Sequence, residues 1–188
     1  MAKGDYSVGT PESRIAVVTL ASSLEKYNEA AMWGTCKTEN LGAEKIVVNT
    51  ISNSNIRFIL LCGGESRGHL AGKTLLALHS NGIDENGRII GSDGAIPFIE
   101  NIPKAAIERF QRQVTIIDHI GLTDSEQIKQ IVDEYKNRDS VFDEEPIVFL
   151  AAKKKRRTSD MEISGDIMIS DDFMIDSASG IVCSIEGK

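Results

Sequence analysis

A single histidine stands in the most chemically suggestive stretch of the chain, at the end of a glycine-rich segment. The segment from Gly63 to Gly68 follows a continuous apolar run, and His69 comes directly after it, where good helix formers begin. A neutral imidazole is a good ligand for a transition metal, and a loop position lets a bulky ligand reach it. One histidine does not make a metal site, and capping or packing is its more common role. His79, inside a predicted helix, and His119, just after a predicted strand, are interpreted as structural.

The same segment is also a candidate phosphate-binding loop. Glycines let a backbone approach a ligand closely, and the start of a helix adds unpaired N–H groups. Gly72, Lys73 and Thr74 match the end of a Walker motif, but Gly68 lies four positions before Gly72 where the motif requires five. The GxGxxG spacing of dinucleotide-binding proteins is not matched either. A nucleotide- or phosphate-binding protein is therefore kept as an alternative.

Two cysteines and two glutamates border the same region. Cys36 and Cys62 are candidate nucleophiles or metal ligands, although burial in the core is the more common role for Cys62, which ends an apolar strand. Glu39 and Glu65 are candidate acid–base groups. No spacing pairs the two carboxylates, so solvated surface positions are the default interpretation for both.

Strand and helix patterns alternate around these candidates. The run from Ile56 to Leu61 is typical of a strand buried on both faces of a sheet, and the helix after it stops at Asn81–Gly82. A helix from Leu41 to Ile51 has Thr38 or Asn40 as its N-cap. The alternation predicts an α/β fold with a mostly parallel sheet. Further strands are predicted at Ile15 to Leu20, Ile89–Ile90, Val114 to Asp118 and Ile147 to Ala151, and further helices at Leu24 to Met32, at Pro103 to Gln113, and from the capping box Thr123 to Glu126 onward to Tyr135.

Polar loops lie between these predicted elements. They run from Thr35 to Gly42, from Gly63 to Gly68 and from Gly91 to Pro97. Open parallel sheets bind ligands at the carboxyl ends of their strands. We therefore predict that the loops line one crevice together.

Composition excludes several classes of protein. The 188 residues carry a net charge of -7, which argues against general nucleic-acid binding. The 3 cysteines are scattered without a CxxC pair, which is typical of a reducing, cytoplasmic compartment. No apolar run reaches the roughly 18 residues of a membrane span. We expect a soluble cytoplasmic protein.

The character of the chain changes after residue 152. A basic run, Lys153 to Arg157, is interpreted as a solvated linker, and alternating apolar residues then predict a small β-hairpin or meander. The predicted organisation is a domain of residues 1–152 followed by a linker and tail of residues 153–188. The tail is a candidate edge addition to the sheet or a contact in a homodimer.

Several long segments together resemble the A subunit of tetrahydromethanopterin S-methyltransferase, the corrinoid-carrying subunit of that complex. The resemblance runs in order from about Asp5 to Ile147 and is highly specific. The segments that carry it are Cys36 to Gly42, Ile51 to Phe58, Gly68 to Gly72, Ala77 to Gly82 and Gly94 to Pro103.

The resemblance implies a Rossmann-like fold that holds a cobamide (cobalamin-type) cofactor, with His69 as the lower axial ligand of cobalt. Other corrinoid proteins have Asp-x-His-x-x-Gly, and Arg67 stands where that aspartate would be. We therefore expect Glu65 or a backbone carbonyl to orient His69. The implied cofactor-binding residues are Thr38, Glu39, Asn40, Gly63, Gly64, Glu65, Ser66, Gly68, His69, Gly72, Gly94, Ala95, Ile96 and Pro97.

The function implied by the resemblance is that of a methyl carrier. The cobalt would take a methyl group from a methyl-tetrahydropterin methyltransferase, a partner that resembles the H subunit of the same complex, and pass it to an acceptor such as coenzyme M. The family's A subunit continues to a membrane anchor, whereas this sequence has a polar tail, so a soluble A-subunit-like protein is expected. The alternatives are a corrinoid-binding module without turnover and the nucleotide or phosphate binder.

Overall fold

A computed structural model describes residues 5–149 and three short strands in the tail, at residues 167–168, 173–175 and 182–184. The chain forms two compact units, Met1–Ala151 and Ala152–Lys188. The elements of the first unit are β1 (Tyr6–Val8), β2 (Ile15–Val18), β3 (Met32–Gly34), α1 (Leu41–Ile51), β4 (Phe58–Leu61), α2 (Ala71–Asn81), α3 (Lys104–Gln113), β5 (Thr115–Asp118) and α4 (Ser125–Tyr135).

The first unit is built on a five-stranded sheet in the order β1-β3-β2-β4-β5. Strands β3, β2, β4 and β5 run parallel, and β1 joins the edge antiparallel to β3. Helices cover both faces, so the predicted α/β fold with a mostly parallel sheet is confirmed. Because the chain passes from β3 across β2 to β4, the carboxyl ends of β2 and β4 form the point where the strand order reverses.

Alternating side chains of the central strands divide the core into two layers. Ile59 and Leu61 of β4 belong to a large cluster with side chains of α1, α2 and α3. Leu60 points the other way, into a smaller cluster with Ile128 and Val132 of α4. The central strands are therefore buried on both faces, which explains their continuous apolar runs.

Most predicted elements of the first unit are confirmed, with four corrections. The predicted helix from Leu24 to Met32 is wrong: that stretch is a loop that leads into β3. Long-range pairing decides this, since the amides of Gly9 and Ala31 donate to the carbonyls of Ala31 and Ile15 respectively. Ile89 forms only an isolated bridge, and residues 147–149 are not a strand.

The fourth correction concerns the start of α4. Asp124, not Thr123, is the N-cap, and its side chain accepts a hydrogen bond from the amide of Gln127. An aspartate at this position satisfies an orphan N–H and complements the helix dipole, so the helix begins one residue later than the capping box predicts.

The second unit contains a three-stranded antiparallel sheet in the order β6 (Ile167–Met168), β7 (Phe173–Ile175) and β8 (Val182–Ser184). Its strands pair consecutively, so the predicted hairpin or meander is confirmed for these residues. The predicted linker from Lys153 to Arg157 lies outside the described residues.

Candidate functional site

The loops after β2 and β4 close on each other where the strand order reverses. The amide of Ala21 donates to the carbonyl of Gly64, and the amide of Gly64 donates to Ser22 Oγ. Gly63 has φ +75°, and a Cβ there would lie 2.2 Å from the carbonyl oxygen of Thr19. In the structure these two glycines therefore serve the close approach of two loops; that they also contact a cofactor stays a prediction.

Glu65 caps helix α2 from within the glycine-rich segment. Its carboxylate accepts hydrogen bonds from the amides of Gly72 at 3.0 Å and Lys73 at 2.8 Å. A carboxylate is well placed there because it satisfies orphan N–H groups at the positive end of the helix dipole. The expectation that Glu65 orients His69 is not what the structure shows, since both of its oxygens are engaged by the helix.

The capping also weakens the phosphate-binding interpretation. A phosphate would need the amides that Glu65 already occupies. The hydroxyl of Thr74, which would bind magnesium in a Walker motif, is buried and lies 2.7 Å from Ser92 Oγ. The residues that resemble the end of a Walker motif thus have structural partners within the protein.

His69 projects from the turn before α2 toward a buried carboxylate. Its Nδ1 lies 2.7 Å from Oε2 of Glu39, and the histidine side chain is 50% exposed while that of Glu39 is 1% exposed. The other carboxylate oxygen of Glu39 accepts the amide of Ile96 at 2.6 Å. Glu39 thus links its own loop, between β3 and α1, to the turn that carries His69 and to the loop that carries Ile96.

The Glu39 carboxylate is held in its charged form. Burial by itself would raise its pKa, but hydrogen bonds from the amides of Glu39 and Ile96 and from His69 outweigh that effect, so the pKa lies below the ordinary value of 4.5. An ionised carboxylate only accepts hydrogen bonds, so Nδ1 of His69 carries the proton in this pair. In the neutral imidazole, Nε2 then keeps its lone pair.

The loop from Gly91 to Pro97 packs tightly on this pair. A Cβ at Gly94 would lie 2.8 Å from the carbonyl oxygen of His69 and 2.9 Å from Cγ of Glu39. Only glycine therefore fits between the loops. The structure brings the three predicted loops together around the histidine.

Exposed apolar residues lie close in sequence to Glu39 and in the loop whose amide bonds to it. Leu41 is 54% exposed and Ile96 is 59% exposed, and Ala95 is exposed as well. A Cβ added at Gly68 would meet nothing within 4 Å, so space is open beside the histidine. A half-exposed imidazole flanked by exposed apolar groups suits a bulky, partly apolar ligand.

The remaining predicted site residues differ in whether they cap a helix, pack in the core or lack a hydrogen-bond partner in the described part of the chain. Asn40 is the N-cap of α1, as predicted, and Thr38 Oγ1 accepts the amide of Gly42. Gly72 packs between Leu20 and Ile120. Ser66 Oγ is buried without a hydrogen-bond partner in the described part of the chain.

The interpretation of Glu39 as a solvated surface residue is wrong. Its carboxylate orients His69, the role that the sequence analysis assigned to Glu65 or a backbone carbonyl. The clue that points to it is its position after the carboxyl end of β3. The sequence predicts that the loop from Thr35 to Gly42 lines the crevice, but it predicts no strand before that loop and so does not place the Glu39 carboxylate against His69.

The two candidate cysteines of the first unit are buried. Burial raises the pKa of the Cys36 and Cys62 thiols to about 12, so both are neutral near pH 7.

The interpretation of His79 as structural is confirmed, because its Nε2 lies 2.8 Å from the carbonyl of Val114 and its ring packs against Phe110.

A cavity of about 340 Å³ lies next to the site without containing it. Thr38 and Leu41 line one end, whereas Glu39 and His69 do not line it. We place the candidate site at His69 because the cavity has no comparable pair of an exposed ligand atom and a buried carboxylate.

The donor set decides what kind of metal this site can hold. The described residues contain no group of three or more His, Cys, Asp or Glu that could hold a metal ion. A bare transition-metal ion needs several protein ligands, but a metal inside a macrocycle brings most of its own. A single imidazole with a buried carboxylate behind it fits a metal that is already held inside a macrocycle.

None of the helices in the described part of the chain combines the length and apolar character needed to span a membrane.

Fold and site together define an α/β protein in which a half-exposed histidine, paired with a buried glutamate, lies at the carboxyl edge of the sheet. Residues 1–159 match the family model of the A subunit of tetrahydromethanopterin S-methyltransferase. The chain therefore belongs to this family.

Curated relatives agree with the family model. The chain is 63% identical to the A subunit of the putative methyltransferase Mtx of Methanosarcina barkeri, over 97% of this chain and 92% of that protein. It is 44% identical to the tetrahydromethanopterin S-methyltransferase A subunit of Methanosphaera stadtmanae, over 98% of this chain and 75% of that protein. It is 52% identical to the A 1 subunit of the same enzyme in Methanothermobacter thermautotrophicus, over 77% of this chain and 63% of that protein.

Proposed function

We propose that this protein carries a corrinoid and shuttles a methyl group on its cobalt between a methyl-tetrahydropterin methyltransferase and an acceptor such as coenzyme M. The observation that carries the proposal is the pair formed by Glu39 and His69, which leaves one imidazole nitrogen available at an exposed position. Membership of the A-subunit family supports a role in methyl transfer.

The residues present fit a corrinoid. His69 would hold cobalt through Nε2, which has no hydrogen-bond partner in the described part of the chain. Exposed Leu41, Ala95 and Ile96 would contact the apolar faces of a macrocycle. When bound, the cobalt supplies a nucleophile that accepts a methyl group and later releases it.

Glu39 fixes the chemistry of the histidine. By accepting the Nδ1 proton, it selects the tautomer with a free lone pair on Nε2 and fixes the orientation of the ring. Its second hydrogen bond, from the amide of Ile96, keeps the apolar loop in place beside the imidazole. The same carboxylate therefore prepares both the ligand atom and the contact surface.

The proposed carrier works only with partner proteins. A methyl group would have to arrive from one enzyme and leave to another acceptor, so the surface around His69 must stay accessible to partner proteins. A methyltransferase resembling the H subunit is the partner that we propose for the arriving step. The family name assigns the A subunit to a multi-subunit enzyme, which supports a partner of this kind.

The first test is a titration of the purified protein with cobalamin, followed by absorption spectroscopy. His69→Ala is the test variant, and His119→Ala is its matched control because His119 is also an exposed histidine but follows β5 and not the turn before α2. We expect stoichiometric binding whose spectrum changes in His69→Ala and not in His119→Ala.

The outcomes separate the alternatives. Failure of the wild type to bind any corrinoid would overturn the proposal, and binding with an unchanged spectrum in His69→Ala would overturn the role of His69. A loaded protein that accepts no methyl group from methyl-tetrahydropterin and an H-subunit-like enzyme would be a binding module without turnover.

A further inference from the structure

His69 lies between two residues in the left-handed backbone region. Gly68 has φ +79° and Leu70 has φ 47°. Glycine adopts this conformation freely, but a leucine there is uncommon because its Cβ crowds the neighbouring carbonyl. The strained residue is also the N-cap of α2, and its side chain makes no capping hydrogen bond.

Several contacts hold the turn in this conformation. The amides of His69 and Leu70 both donate to the carbonyl of Ser66, which closes the turn. Glu65 supplies the cap that the leucine cannot, through the amides of Gly72 and Lys73. On the far side of the turn, the imidazole is held by Glu39. The strain exists only while these contacts are made, since an open turn would let residue 70 relax.

We propose that Leu70 is a positioning residue whose strained backbone sets how readily His69 leaves its place beside Glu39. A glycine at position 70 would give the same turn without strain, so leucine makes the docked position of the imidazole less stable than it could be. Backbone strain of this kind is concentrated at sites that switch between two arrangements. The inference rests on the proposed function. A histidine that must bind and release a ligand benefits when its docked and released positions differ little in free energy.

Two explanations of the role of Leu70, backbone strain and side-chain packing, predict opposite effects of substitution. If strain decides, Leu70→Gly and Leu70→Asn stabilise the docked turn, because both residues tolerate positive φ, whereas Leu70→Val destabilises it. If packing of the leucine side chain decides, Leu70→Val is the mildest change and Leu70→Gly the most harmful. The order of the variants therefore distinguishes the two explanations.

The test uses the cofactor-free full chain and measures amide hydrogen exchange at Leu70, Gly72 and Lys73 by NMR. We expect exchange about threefold to fivefold slower in Leu70→Gly and Leu70→Asn than in the wild type, and faster in Leu70→Val. The nitrogen-15 shifts of the His69 ring report the hydrogen bond at Nδ1 and should move toward the fully docked values in the same order.

Asp139→Gly is the matched control, because it also replaces a positive-φ residue, at φ 73°, by glycine. It should leave exchange in the turn unchanged. Slower exchange in Leu70→Val than in Leu70→Gly would overturn the proposal, and so would equal exchange in all variants. If Leu70→Val does not fold, the comparison of Leu70→Gly and Leu70→Asn with the wild type still decides. No corrinoid is present, so failure of this inference and failure of the proposed function are distinguishable.

Discussion

Nδ1 of His69 lies 2.7 Å from Oε2 of Glu39, although 30 residues separate them in sequence. The carboxylate is buried at the carboxyl edge of the sheet and the imidazole is half exposed. A buried acceptor thus fixes the orientation of an accessible imidazole. The two residues meet because the loop after β3 and the turn before α2 lie at the same edge of the parallel sheet.

The first prediction concerns Glu39→Gln. A carboxylate accepts from both His69 Nδ1 and the amide of Ile96, but a glutamine has one oxygen and can satisfy only one of these donors. We expect the variant to lose about 1–3 kcal/mol of unfolding free energy in urea titrations. Where the amide group faces Nδ1, the imidazole must accept there and carry its proton on Nε2, which nitrogen-15 NMR detects.

Glu85→Gln is the control for this substitution, because Glu85 is an exposed glutamate in a turn away from the site. It should change neither stability nor the imidazole tautomer. Equal stability of Glu39→Gln and the wild type would contradict the role given to the buried carboxylate.

The second prediction is the pH dependence of the stability that the charged Glu39 carboxylate contributes. The pKa of Glu39 is lowered in the folded state, so its charged form stabilises the fold. That contribution is complete above the ordinary pKa of 4.5 and is lost as pH falls through the lower folded pKa. The stability difference between wild type and Glu39→Gln should therefore shrink as pH falls below the ordinary pKa of 4.5. A difference that grows as pH falls below that value would contradict the sign.

The sequence predicts correctly those elements whose caps and apolar spacing lie within the element itself. Helix α1 begins and ends as predicted because Asn40 caps it and its apolar face has helical spacing. Strand β3 was missed because three residues carry too little local pattern, and its identity comes from pairing with β1 and β2. Non-local hydrogen bonds overrode the helix propensity of the preceding stretch.

Residue type and loop position single out His69 as a candidate, but they do not predict the residue that holds it. Its role as a cobalt ligand, which the family resemblance implies, stays a prediction. Glu65 or a backbone carbonyl is the orienting group that the sequence analysis predicts, yet Glu65 caps α2 instead. The sequence predicts that the loop carrying Glu39 lines the crevice, but 30 residues separate Glu39 from His69, so no local pattern pairs the carboxylate with the histidine.

The third prediction concerns the cysteines. Burial raises the pKa of Cys36 and Cys62 to about 12, so iodoacetamide at pH 8 should leave both unmodified in the folded protein. Peptide mass spectrometry after native labelling identifies each thiol separately. The same treatment in denaturant should modify both within minutes. Rapid native labelling of Cys36 would revive its interpretation as a nucleophile or ligand.

The fourth prediction tests the phosphate-binding alternative through Glu65. Because its carboxylate occupies the amides of Gly72 and Lys73, wild type should show no heat of binding with ATP in calorimetry. Glu65→Ala should lose about 1 kcal/mol of unfolding free energy through the missing cap. Lys73→Ala keeps its backbone amide and should be near neutral, and nucleotide affinity sensitive to it would restore the alternative.

The last prediction compares two glycines that share a positive φ. Gly63 has φ +75° and Gly68 has φ +79°, so alanine meets a similar backbone penalty of about 1 kcal/mol at both. A Cβ at Gly63 would also lie 2.2 Å from the carbonyl of Thr19, whereas at Gly68 nothing lies within 4 Å. Gly63→Ala should therefore cost about 3 kcal/mol in urea unfolding, clearly more than Gly68→Ala. Equal losses would mean that the loops after β2 and β4 can separate without cost, and that the carboxyl edge carrying His69 is less rigid than its contacts indicate.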